Sequence, residues 1–149
     1  MRAENVRRAK LPKLKIWSTD KADTKFSLFI RQRDQICRFQ GCSVGNVKKL
    51  QCSHYIGRAH SATRYDPNNC ISLCWRHHFK DKLLGFEYQK QIKEKHGYDG
   101  QYTLFMKKLL GKKFKDLIFK GRTTLTRSDA IEECMALLSP LPTNRTSDR

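Results

Sequence analysis

Two short-spaced donor pairs place the tightest limit on how this chain folds. Cys37 and Cys42 (CRFQGC) form one pair, Cys74 and His77 (CWRH) form the other, and 31 residues lie between them. Thiolate and imidazole pairs of this kind suit a tetrahedral structural zinc site, because each pair bends around one face of the ion. The chain must therefore leave one point and return to it. The second pair opens the helix expected from Trp75, so the ion anchors that helix near its N-terminus.

Within the excursion, Gln51 to Lys82 carries the chemistry. Fourteen residues separate His54 from Asn69 and eight separate Asn69 from His78, room for a strand, a loop and the start of a returning helix. Phosphodiester hydrolysis needs a base for water, a cation to neutralise the transition state, and ligands that leave the cation open to phosphate. A neutral imidazole suits the first task at working pH. An Asn carbonyl and a second imidazole hold a cation without cancelling its charge. Neighbouring helical side chains diverge by about 100°, so His77 and His78 can serve different metals.

These residues resemble the HNH endonuclease family, whose ββα-metal fold carries a base His on its first strand, an Asn in the loop and a ligand His on the helix. Position by position, the resemblance puts His54 on the base, Asn69 on the loop Asn and His78 on the last ligand. The wider run, KADTKFSLFIRQRD through SHYIGR, ATRYDPNN and LCWRHH, is similar to phage HNH and NinG-type recombination endonucleases. It implies DNA as substrate, 5′-phosphate and 3′-hydroxyl products, a catalytic Mg²⁺ or Mn²⁺ beside the structural Zn²⁺, and recombination or packaging proteins of phage or host as partners. Two positions depart from the pattern. Ser53 stands where many members have a metal-binding Asp or His, which leaves the cation to Asn69, His78, water and substrate oxygens, with Ser53 and Asp66 as further donors. His77 replaces the more usual Cys, a change zinc tolerates.

Charge points the same way. The 149-residue chain has a formal charge of +17, and residues 1–64 hold 15 Lys or Arg against 4 acidic residues, a net of +11. Such a field favours a polyanion, most simply nucleic acid. Arg7 and Arg8 lie in a basic arm over residues 1–17 that suits phosphate contact. Arg58 and Arg64 are the expected phosphate clamps, since guanidinium binds phosphate bidentately; either can instead pair with Asp66 and brace the loop. Lys80 on the metal helix is a further DNA contact, with a solvated face as the alternative. No apolar run approaches a membrane span and no signal-peptide core opens the chain. The expectation is a cytoplasmic protein of a bacterium or a phage-infected cell, with reduced thiols and with Cys52, Cys70 and Cys134 as small buried residues.

The predicted fold class is α+β, a zinc-stapled ββα core over about 36–84 between an N-terminal helix and a helical extension over 86–138, with a disordered tail at 139–149. Residues 18–138 read as one domain. A helix starts at Ser18 or Thr19 and buries Ala22, Phe26, Phe29 and Ile30. Strands follow at Lys49 to Ile56 and Cys70 to Leu73, joined by a polar loop with a turn at Asp66, Pro67 and Asn68. The metal helix runs from Trp75, which is expected against the zinc site, to Leu84, where Gly85 ends it. Beyond it, stripes at Phe86, Ile92, Tyr98, Tyr102, Phe105 and Leu109, then Phe114, Leu117 and Ile118, are core. A last helix over Arg127 to Leu138 buries Ile131, Met135 and Leu138. The function read from the sequence is a metal-dependent HNH DNA endonuclease; the alternatives are a non-catalytic zinc-containing nucleic-acid-binding protein and an RNA-binding basic protein.

Overall fold

Helix α1 (Thr19–Asp34) begins where the sequence offers a cap. The Ser18 side chain accepts from the Lys21 N–H at 3.2 Å, and Asp20 sits in the positive first turn. It ends at Gln35, whose left-handed backbone (φ 59°) turns its N–H back onto the Arg31 carbonyl. In the computed structural model, which describes residues 15–39, 41–79 and 86–139, this helix covers one face of a two-stranded sheet. Arg7, Arg8, Lys80, the helix stop at Gly85 and the tail from residue 140 lie outside the described residues.

The sheet pairs β1 (Leu50–His54) with β2 (Cys70–Cys74) antiparallel, with Leu50 opposite Cys74 and His54 opposite Cys70. Its connection is more ordered than the polar loop read from the sequence. It contains a short helix α2 (Ser61–Arg64) and a 3₁₀ turn at Pro67–Asn69 whose cap is Asp66, accepting from the Asn68 N–H. Helix α3 (Trp75–Phe79) follows β2 directly. The chain continues through α4 (Phe86–His96), α5 (Gln101–Leu110), α6 (Lys113–Gly121) and α7 (Arg127–Leu138). The class is thus α+β, as expected. No helix among the described residues is long and apolar enough to cross a membrane.

Because strand side chains alternate, the sheet divides the core in two. One face packs Cys70 and half-buried Cys52 against Phe26 and Ile30 of α1, with Ala130, Ile131 and Cys134 of α7 completing the cluster. The Ser72 hydroxyl donates to the Ile30 carbonyl, and the Ser72 N–H donates to Asp34. The other face packs Ile71 and Leu73 against Tyr102, Met106, Phe114 and Leu117. At the exit of β1, α6 comes so close that a Cβ on Gly121 would stand 2.7 Å from Ile56 Cδ1. Two expected core residues face outward instead: Tyr98 and Leu109 are exposed, and Met106 takes the interior position of α5.

Phe26 is 1% exposed and lies beside both Tyr65 and His54. Phe26→Ala should lower stability by about 3–5 kcal/mol, read as a shift of the urea midpoint at constant slope.

Candidate metal centre and basic cleft

The two donor pairs converge. Cys37, Cys42, Cys74 and His77 place their ligand atoms within 4.8 Å of one another. His77 Nδ1 lies 3.4 Å from Cys37 Sγ and 3.3 Å from Cys74 Sγ, and the Cys42 and Cys74 sulfurs are 3.9 Å apart. Zinc–sulfur and zinc–nitrogen bond lengths give tetrahedral edges of about 3.8 Å between sulfurs and about 3.5 Å between sulfur and nitrogen. The cluster therefore has the geometry to hold a metal ion, and three thiolates with one imidazole suit zinc. Phe39 stacks on the His77 ring at 4.2 Å and fixes its orientation. Burial pushes the Cys37 thiol up to about 11, so the metal must displace a proton there and binding weakens as pH falls. Trp75 does not pack here; it is 65% exposed and stacks on Phe79.

His77 and His78 separate as helix geometry requires. His78 turns to a cleft of about 410 Å³ that it shares with His54, Arg58, Arg31, Cys52 and Ser27. His54 closes β1, and its Nε2 lies 2.8 Å from the Arg64 carbonyl oxygen. A carbonyl only accepts, so Nε2 carries the proton and Nδ1 keeps the lone pair. Burial, offset in part by that hydrogen bond and reinforced by the Arg58 and Arg64 charges, brings the imidazole down to about 4. It is neutral at pH 7.

Four expected site residues stand elsewhere. Asn69 is 0% exposed: its Oδ1 accepts from the Ile56 N–H at 2.7 Å, and its Nδ2 donates to the carbonyls of Ile56 and Thr63, both at 2.9 Å. Its carboxamide closes the loop and does not face the cleft. Ser53 lies on the opposite sheet face from His54, fully buried near the Tyr102 hydroxyl. Strand alternation forces this, and so removes Ser53 as a cation ligand beside His54. Asp66 is spent on capping the 3₁₀ turn and on an ion pair with Lys120 at 3.1 Å.

Arg64 is a brace rather than a clamp. Only 7% exposed, it forms a two-point pair with Asp23 (Nε to Oδ1 2.9 Å, Nη2 to Oδ2 2.5 Å) and donates to the Arg58 carbonyl. Tyr65 donates to the same carboxylate. Although partial burial works against ionisation, Arg64 and Tyr65 hold the Asp23 carboxyl below the usual range. Arg58 remains on the cleft wall, well exposed and 4.0 Å from Asp23. Arg31, in the last turn of α1, reaches the cleft because α1 crosses β1, which no local signal gives. Cys52 could have been placed there by alternation from His54.

Comparison of the chain with known protein families, with curated proteins and with solved structures finds no match.

Cys74→Ser should lose bound metal and destabilise the chain by more than about 4 kcal/mol, checked by metal content and thermal unfolding together. Asn69→Ala strands one buried N–H and removes the donor to two carbonyls. It should cost about 2–4 kcal/mol while leaving metal content at the four-donor cluster unchanged.

Proposed function

We propose that this chain is an HNH-type DNA endonuclease with zinc in the four-donor cluster and His54 as the general base. The observation that carries this reading is the state of His54. Its Nε2–H is tied to a backbone carbonyl, its other nitrogen is left as a base, and it lines a cleft with His78 and the exposed Arg58. The order β1, loop, β2, α3, with His54 ending the first strand and His78 on the helix, supports the family resemblance.

A phosphodiester in the cleft changes the field around His54. Its negative charge offsets Arg58, which in the free protein depresses the imidazole, and itself favours the imidazolium. His54 therefore becomes a stronger base once substrate is seated. Its task is to take a proton from water as the water oxygen bonds to the phosphorus. The bond to the 3′-oxygen breaks, that oxygen takes a proton from solvent, and Arg58 binds the non-bridging oxygens. The net charge of +17 draws the polyanion in.

The expected catalytic Mg²⁺ or Mn²⁺ fits this cleft poorly. Hard cations take oxygen ligands, yet Asn69, Ser53 and Asp66 are committed elsewhere, and no carboxylate lines the cleft among the described residues. His78 alone remains of the expected ligand set. The steps assigned here are thus those of His54 and Arg58. That thin donor set favours a second reading, a zinc-containing module that binds nucleic acid without cutting it.

Incubation of the full chain with supercoiled plasmid and Mg²⁺ or Mn²⁺ separates the two. Nicking supports the enzyme; retardation on a gel with intact plasmid at every metal concentration rejects it. His54→Ala should lower cleavage by about 10²–10⁴-fold with DNA retardation and zinc content retained, and a variant that cuts at the wild-type rate removes His54 as the base. Because His54 is neutral above about pH 4 in the free protein, cleavage efficiency should stay level from pH 7.5 to about pH 5. An acid limb near 6.5 contradicts the assignment.

A further inference from the structure

The sheet face that presents His54 also presents two thiols outside the four-donor cluster. Cys70 stands directly opposite His54 across the ladder, and Cys52 lies two residues before His54 on the same face. The Cys52 and Cys70 sulfurs and one ring nitrogen of His54 all lie within 4.8 Å of one another. We infer that Cys52, His54 and Cys70 form a second metal site, which takes a thiophilic divalent cation such as Zn²⁺ and leaves its fourth position open to the cleft.

The donor set suits that ion. Two thiolates and one imidazole, with a fourth position for water or an outside ligand, make a three-ligand zinc site, in contrast to the closed cluster at Cys37, Cys42, Cys74 and His77. The support around the ligands is already built. A metal-ligating His normally gives its other N–H to a carbonyl or carboxylate, and His54 gives Nε2–H to the Arg64 carbonyl. Access and closure are also in place. Cys52 and His54 line the cleft, while Cys70, 1% exposed, closes the site from behind.

Rigid support limits how far the donors must move. All three sit on two paired strands, and contraction to tetrahedral edges of about 3.5–3.8 Å requires side-chain shifts of about 1 Å. The nearby arginines do not oppose the loaded state, because a divalent ion with two thiolates is formally neutral. Three donors hold the ion less tightly than four, so this site fills after the four-donor cluster. An ion here takes the lone pair that His54 needs as a base, so zinc excess silences cleavage. That consequence rests on the nuclease reading; the metal site does not.

The test counts metal on the full chain. Metal-free, reduced protein is titrated with Co²⁺ and then Zn²⁺, with the thiolate charge-transfer absorption and bound equivalents followed together. Wild type should take two equivalents, the second weaker than the first. Cys52→Ala and Cys70→Ala should each retain the first and lose the second, with unchanged circular dichroism. Wild type that saturates at one equivalent, or Cys52→Ala that still binds two, overturns the site. Should Cys70→Ala fail to fold, Cys52→Ala decides the matter, because Cys52 is only half-buried at the cleft wall. A plasmid left uncut rejects the nuclease and leaves this count untouched, so the two readings fail separately.

Discussion

The convergence of Cys37, Cys42, Cys74 and His77 brings the two ends of a 31-residue excursion to one point and offers a metal ion four donors there. It ties the stretch after α1 to the junction of β2 and α3. A two-stranded sheet is at best marginal in water without packing on its faces or a cross-link, and α3 has only five described residues, too short to persist alone. An ion bonded to both ends of the excursion removes much of the entropy that would let them separate. Such a tie would set the direction of α3, and with it the position of His78 in the cleft it shares with His54.

A second constraint fixes the loop. Asn69 bridges Ile56 and Thr63 by three backbone bonds, and Arg64 reaches across to Asp23 on α1. Buried polar groups of this kind specify one conformation because leaving any of them unpaired costs the full desolvation penalty. Their effect reaches His54 through a single atom, the Arg64 carbonyl oxygen that orients the imidazole. Residues with the polarity of ligands and clamps therefore position the His54 imidazole instead of lining the cleft. The same orientation leaves one lone pair that both a proton and a soft metal ion can claim.

Much of this was legible in local spacing. The two donor pairs, the Ser18 cap, the paired strands and the start of the helix at Trp75 follow from residue chemistry within a few positions. The errors share one cause. Asn69 was placed by the family resemblance and Asp66 and Arg64 by side-chain type, and neither says whether a polar group will be spent on bonds within the protein. Arg64 and its partner Asp23 are 41 residues apart, beyond any helical or strand period. Ser53 is different, because period-two alternation already set it on the face opposite His54.

The sequence by itself determined the donors of the metal cluster, the excess of positive charge and the order of strand, loop, strand and helix, since each depends on residue identity and short-range geometry. Only the tertiary structure decided which polar side chains face the cleft and which are buried as braces. That choice turns on the packing of α1 across β1 and on which backbone groups the loop leaves unpaired, and both arise from contacts between residues far apart in the chain.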